Sequence, residues 1–116
     1  MDNAEAVILL DALAQESRLA IFRLLVESGP EGLNVTRIGK LLGVPAATLS
    51  FHLKELTHVG LIKRRKDGRF IYYATDYRVM SGLVGFMTEN CCSGSSCDPE
   101  SPEAARRFGY LKKEEG

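Results

Sequence analysis

Residues 35–59 read VTRIGKLLGVPAATLSFHLKELTHV and contain two helical patterns separated by a tight turn. Asn34 is a suitable N-cap for a short helix over residues 35–42, and Gly43 breaks that helix. Pro45 suits the first turn of the next helix, which we predict from about residue 45 to residue 59. The positions of this helix expected to face the core are Leu49, either Leu53 or His52, and Leu56. A short helix, a turn and a longer helix in this order predict a helix-turn-helix.

A basic hairpin is predicted directly after this pair of helices. Residues 61–66 and 69–75 have the composition of strands, and Asp67-Gly68 between them is a strong signal for a two-residue hairpin turn. Residues with side chains expected to face the core are Ile62, Ile71 and Tyr73. The predicted fold class is therefore mainly α with a small β-hairpin wing, a winged helix-turn-helix.

Further helices are predicted on both sides of this unit. They cover residues 4–14, residues 16–28 before Gly29-Pro30, and a last helix from an Asp76 cap to about Asn90. The apolar residues of the first helix are Val7, Ile8, Leu10 and Leu13. This apolar face is wide for so short a helix, so it is either buried within the domain or packed on a partner chain.

The domain organisation and location follow from composition. We predict one domain over residues 1–90, because a chain of 116 residues has room for a single core, and a mobile, cysteine-bearing tail over residues 91–116. No apolar run approaches the roughly 18 residues that span a bilayer, and the acidic N-terminus does not resemble a signal peptide. A cytoplasmic protein with no membrane partner is expected.

The distribution of charge indicates a nucleic-acid partner even though the formal net charge is zero. Residues 34–73 contain eight Lys or Arg and two acidic residues, which gives this segment a net charge of +6. A basic middle between acidic ends is the electrostatic footprint expected for a protein that contacts phosphates. An ordinary solvated face, or a winged domain used only for protein–protein contact, would also account for such a segment.

The predicted DNA contacts lie on the helix-turn-helix and the wing. The second helix can enter a major groove, where side chains near its N-terminus reach base edges. The predicted base contacts are Ala46, Ala47, Thr48, Ser50 and Phe51. The predicted phosphate contacts of the helices are Arg37, Lys40 and Lys54. The hairpin residues expected to reach the backbone or a minor groove are Arg65, Lys66 and Arg69.

The chain at this point resembles the ArsR/SmtB family of metalloregulatory repressors. The matching segments are residues 38–56 (IGKLLGVPAATLSFHLKEL), Gly60-Leu61-Ile62, residues 64–69 (RRKDGR) with Tyr73, and LDALAQESRL at residues 10–19. The resemblance covers about residues 5–90. It implies a homodimer built on the first and last helices, and repression by binding of double-stranded operator DNA, with no enzymatic activity and no organic cofactor.

Three cysteines, Cys91, Cys92 and Cys97, form the candidate ion site. The family's commonest arsenic site lies at the start of the helix-turn-helix, and a second family site uses Asp and His on the last helix. The cysteines of the first site and the histidines of the second are missing here. The cluster is similar to the C-terminal cysteine site of an atypical arsenic-responsive branch of the family.

The number of sulfurs favours a particular class of ion. Thiolates prefer soft ions, and As(III) or Sb(III) binds three thiolates in a trigonal pyramid, whereas structural zinc is almost always four-coordinate. Glu89 or Asp98 could supply a fourth ligand, so a zinc- or cadmium-responsive repressor stays open, and two thiols would suffice for a monomethyl arsenical. A thiol-redox switch, a small thiol oxidoreductase and cysteines without a role stay open as well.

Overall fold

The computed structural model describes residues 1–94, so Cys97 and the rest of residues 95–116 lie outside the described residues. The described helices and strands, in chain order, are α1 (Asn3–Leu13), α2 (Glu16–Ser28), β1 (Leu33–Asn34), α3 (Val35–Leu42), α4 (Ala46–His58), β2 (Ile62–Asp67), β3 (Phe70–Thr75) and α5 (Tyr77–Met87). A short turn, Cys91–Gly94, follows. The chain divides into two units, Met1–Phe86 and a second that begins at Met87. The mainly α fold with a small antiparallel sheet confirms the predicted fold class.

Local capping explains where α3 begins and where it ends. The Asn34 side chain accepts a hydrogen bond from the Arg37 backbone N–H at 2.8 Å, which satisfies one of the orphan donors of α3. Gly43 has a left-handed φ of 66°, and its N–H donates to the Gly39 carbonyl at 2.8 Å. Pro45 occupies the N-cap of α4 rather than its first turn, so the helix begins at Ala46, one residue later than predicted.

The core joins all five helices and the sheet. Its fully buried side chains include Ile21, Leu25, Ile38, Leu49, Leu53, Leu56, Leu61 and Ile62. The sequence predicts that either Leu53 or His52 faces the core, and both are buried: Leu53 is 1% exposed and His52 is 6% exposed. One face of α4 is therefore buried in the core, and the opposite face, which carries the predicted base contacts, is exposed to solvent.

The sheet has three strands in the order β1-β3-β2, one more than the hairpin alone. Leu33 and Asn34 pair antiparallel with Tyr73 and Tyr72. The two-residue β1 has no periodicity of its own, so nothing in its composition indicates a strand. Gly32 makes the pairing possible, since its φ is +76° and a Cβ there would lie 2.1 Å from the Tyr73 carbonyl oxygen.

The hairpin turn lies one residue later than predicted. Asp67 pairs with Phe70, so the two loop residues are Gly68 and Arg69, and Arg69 is not the first residue of the second strand. Gly68 has a φ of +64°. Glycine at the first loop position is what a type II′ turn requires, whereas Asp67-Gly68 would have suited a type I′ turn.

The first helix leaves most of its apolar face uncovered. Val7 is 62% and Ile8 is 56% exposed, whereas the buried residues of α1 are Ala6, Leu9 and Ala12. The face of α1 is therefore not buried within its own domain. At the other end of the chain, α5 ends at Met87, three residues before the predicted Asn90, and its start is held to α2 by the Tyr77 hydroxyl, which donates to the Val26 carbonyl at 3.0 Å.

Within residues 1–94, no helix combines the length and the apolar character needed to cross a bilayer.

Candidate nucleic-acid interface

The exposed side of α4 carries all the predicted base contacts. The five residues, Ala46, Ala47, Thr48, Ser50 and Phe51, are each exposed. Between them, Leu49, His52 and Leu53 are buried. The helix is thereby anchored by one face and presents the other, which is the arrangement that a recognition helix needs to enter a major groove.

Phe51 is held in place by a ring contact with its neighbour. The rings of Phe51 and His52 meet edge to face, with centroids 5.7 Å apart and an interplanar angle of 61°. His52 is buried, and its Nδ1 has no hydrogen-bond partner. His52 therefore acts as a packed core residue that supports Phe51, and not as a groove-reading side chain.

The cations predicted to contact phosphates on the helices are also exposed. Arg37 and Lys40 lie on α3, and Lys54 lies on the same face of α4 as Phe51, three residues further along. Exposed cations on these two helices are available to phosphates of a duplex whose major groove holds α4.

A groove between α4 and the sheet adds residues that the sequence did not single out. It has a volume of about 570 Å³ and is lined by Lys54, Glu55, Thr57, His58, Arg64 and Tyr73. Arg64 is exposed and shares this groove with Lys54, although the two are ten positions apart. Successive side chains of a strand point to opposite faces of the sheet, so Arg64 and Arg65 on β2 cannot both face α4. This alternation could have indicated from sequence that one of the two arginines reaches the groove.

Arg65 is anchored within the protein, in contrast to a freely extended arginine. Its Nη2 donates to the Glu31 carbonyl at 2.9 Å, and its Nη1 lies 3.6 Å from Asp67 Oδ2. Its guanidinium carbon lies 4.6 Å from the centroid of the Tyr72 ring. These contacts join the wing to the loop before β1 and make Arg65 a residue that positions the hairpin. The other two predicted hairpin contacts, Lys66 and Arg69, are exposed near its tip.

The candidate ion site is described only for its first two cysteines. Cys91 Sγ and Cys92 Sγ lie 3.8 Å apart, Cys91 is exposed and Cys92 is partly buried. Asn90, Cys92 and Ser93 have φ values of 56°, 54° and 54°, so the backbone here takes a tight, left-handed path. Among residues 1–94, no three His, Cys, Asp or Glu side chains come together to hold a metal ion, and the third predicted ligand, Cys97, lies outside the described residues.

The described helices and the three-stranded sheet form a winged helix-turn-helix fold. A family model described as a helix-turn-helix domain matches residues 13–65. The chain belongs to the ArsR/SmtB family of transcriptional regulators, and not to a family of enzymes.

Three relatives illustrate this membership. The chain is 43% identical over 75 residues to a candidate arsenical resistance operon repressor, ArsR, of Halobacterium salinarum, a match covering 65% of this chain and 57% of that protein. It therefore spans little more than half the length of that curated relative. It is 32% identical to a crystal structure of a possible transcriptional regulator for arsenical resistance, with a TM-score of 0.59 and coverage of 67% and 78%.

The third relative was solved as a homodimeric winged helix-turn-helix DNA-binding domain, Mb0332 from Mycobacterium bovis. It is 28% identical, with a TM-score of 0.59, and the match covers 75% of this chain and 81% of that one.

Proposed function

We propose that this protein is a cytoplasmic, homodimeric repressor that binds double-stranded operator DNA and leaves it when As(III) or Sb(III) binds Cys91, Cys92 and Cys97. The observation that carries the DNA-binding half is the exposed face of α4, which is held by a buried opposite face and accompanied by exposed cations at Arg37, Lys40 and Lys54. The observation that carries the sensor half is the pair of adjacent thiols with their sulfurs 3.8 Å apart.

The DNA-binding half uses two kinds of contact. Residues at the start of α4 meet base edges, while Lys54 and Arg64 from one groove, and Lys66 and Arg69 from the wing, meet phosphates on either side. Phosphate contacts supply most of the affinity, and base contacts supply the discrimination between sequences.

Dimerisation is supported by the uncovered apolar side of α1. Val7 and Ile8 are more than half exposed, and Val84 on α5 is 51% exposed. The starts of the two helices are near each other, since Glu5 of α1 and Val79 of α5 line one pocket. A second copy that covers these side chains would remove an apolar patch from water, and the homodimeric relative assembles with the same fold. Two copies place two α4 helices for two operator half-sites.

The donor set of the sensor half fits a soft ion. Two sulfurs bound to one soft ion at about 2.3 Å are roughly 3.3 Å apart for a pyramidal angle near 90° and roughly 3.8 Å apart for a tetrahedral angle, so Cys91 and Cys92 can bind one soft ion of either geometry with small rearrangement. Cys97, five residues on, supplies the third sulfur that a pyramidal As(III) or Sb(III) requires. The names of two relatives refer to arsenical resistance, which supports this choice of ion.

Ion binding at the cysteines can affect DNA binding because the cysteines follow α5 closely in the chain. Residues 88–90 alone separate the end of α5 from Cys91. Binding of one ion by the three cysteines restrains the end of α5, a helix proposed to join the two subunits, and so changes the spacing of the two α4 helices. Couplings of this kind typically change affinity about 5- to 150-fold.

The test is an electrophoretic mobility shift with a duplex selected by the protein from a random-sequence library. Arsenite, antimonite, zinc, cadmium and hydrogen peroxide are each titrated into the complex of wild type and of Cys91→Ser, Cys92→Ser, Cys97→Ser and the triple variant. We expect arsenite or antimonite to release wild type, and each single variant to bind DNA normally and release poorly. Ser93→Ala, which lies within the same turn and removes no sulfur, is the matched control and should respond as wild type does.

The remaining outcomes distinguish other kinds of sensor. Release of the triple variant by arsenite would contradict the sulfur site. Release of wild type by zinc or cadmium alone would identify a divalent-metal sensor, and release by peroxide alone would identify a thiol-redox switch. Failure to select any duplex would contradict the DNA-binding half.

A further inference from the structure

The N-terminal half of the exposed face of α4 is apolar rather than rich in hydrogen-bonding groups. Ala46, Ala47 and Phe51 have no polar side-chain atom, and Thr48 and Ser50 have one hydroxyl each. Bidentate recognition of guanine or adenine uses Arg, Lys, Asn or Gln, and none of these occurs in residues 46–53. The remaining base-specific feature of the major groove that suits such a surface is the C5-methyl group of thymine.

Phe51 is the side chain on this face with the largest apolar area to offer. It is 56% exposed, and one edge of its ring rests against the buried His52 ring. This contact favours the observed orientation of Phe51, while the rest of its surface stays in water. An aromatic ring that is already ordered loses little conformational entropy on binding, so burial of its exposed surface against a methyl group is favourable.

Phe51 lies on the same face of α4 as Lys54, a residue proposed to contact phosphate. Ala47, Phe51, Lys54 and His58 follow one another at helical spacing on a single face. Lys54 and His58 line the groove with Arg64. A phosphate contacted at this end of α4 would set the register of the helix in the major groove, with Ala47 and Phe51 toward the bases.

We propose that α4 selects thymine at defined operator positions through its methyl group, with Phe51 as the main specificity-determining residue and Ala47 beside it. This inference rests on the proposed function only in requiring that α4 enters duplex DNA. It does not depend on the ion or on the cysteines.

The experiment replaces thymidine by deoxyuridine, which removes the methyl group and keeps the base pair. The full-length protein first selects a duplex from a random-sequence library, and the selected duplex is then resynthesised with one substitution at a time. We expect wild type to lose about fourfold in affinity for each contacted methyl group. Phe51→Ala should bind the two duplexes with nearly equal affinity.

Phe70→Ala is the matched control. Phe70 is also a half-exposed phenylalanine, 53% exposed, but it lies beside the hairpin turn and not on α4. It should keep the fourfold preference for thymine even if its overall affinity falls. Thermal melting of both variants checks that the exposed-site substitutions leave the fold intact.

Three results would overturn the inference. If wild type binds thymine and uracil duplexes equally, thymine methyl groups are not read, while the proposed DNA-binding function stands. If Phe51→Ala keeps the full preference, the methyl groups act through the shape of the duplex and not through Phe51. If no duplex is enriched in the selection, the proposed function fails and this inference fails with it.

Discussion

Arg65 and Tyr72 lie directly opposite each other on β2 and β3, and the guanidinium carbon of Arg65 is 4.6 Å from the centroid of the Tyr72 ring. The same guanidinium donates to the Glu31 carbonyl, so it ties the wing to the segment that precedes β1. Arg65, which the sequence predicts to contact DNA, is thus engaged in contacts within the protein at the base of the wing.

Replacing Arg65 should therefore affect the protein in the absence of DNA. We expect Arg65→Ala to lower the free energy of unfolding by about 1 kcal/mol, because it removes a cation–π contact and a hydrogen bond at a partly exposed site. Arg65→Lys should recover little of this, since an ammonium lacks the planar fork. Urea denaturation at fixed protein concentration measures both variants, and equal stability of all three proteins would contradict the anchoring role.

The groove shared by Lys54 and Arg64 predicts a change in salt dependence. Each cation that contacts a phosphate contributes about 0.9 to the slope of log affinity against log salt concentration. Lys54→Ala and Arg64→Ala should each reduce that slope by about this amount per subunit, as measured by fluorescence anisotropy with a labelled duplex.

The control for these two variants is Arg23→Ala. Arg23 is an exposed cation on α2 that pairs with Glu27 at 3.8 Å and is not among the residues that line the groove. Its removal should leave the slope unchanged. A slope that falls equally for all three variants would show that net charge, and not the groove, determines the salt dependence.

The exposed apolar side of α1 predicts the effect of a charge on assembly. Val7→Glu places a carboxylate on the proposed subunit interface, where it would have to be desolvated, and should shift the protein from dimer to monomer. Sedimentation equilibrium measures the change. Leu41→Glu, at a similarly exposed apolar position on α3, should remain dimeric, and a Val7→Glu protein with an unchanged mass would exclude this face from the interface.

Two glycines with left-handed backbone should differ in their tolerance of alanine. Gly32→Ala brings a Cβ to 2.1 Å from the Tyr73 carbonyl oxygen, whereas a Cβ at Gly68 meets nothing within 4 Å. Gly68→Ala should lose about 1 kcal/mol of stability from backbone strain alone. Gly32→Ala should lose several times more, because β1 must also move away from β3, and chemical denaturation of the two variants gives the difference directly.

The helix-turn-helix could be predicted from sequence because its signals are local. Asn34 caps α3 through the N–H of a residue three positions later, and Gly43 ends it through a carbonyl four positions earlier. The hairpin turn was predicted one residue early because its position follows from the pairing of Asp67 with Phe70 and of β3 with β1, and not from the turn residues alone.

The order of the helices and the wing, the basic middle of the chain, and the number and spacing of the cysteines can all be read from the amino acids in order. The folded chain was needed to find that Arg64 shares a groove with Lys54, that Arg65 contacts the segment before β1, that Phe51 is exposed beside a buried His52, and that Val7 is exposed among the described residues. The difference lies in the range of the interactions: caps and helical periods join residues three or four positions apart, whereas grooves, strand register and burial depend on contacts between residues far apart in the chain.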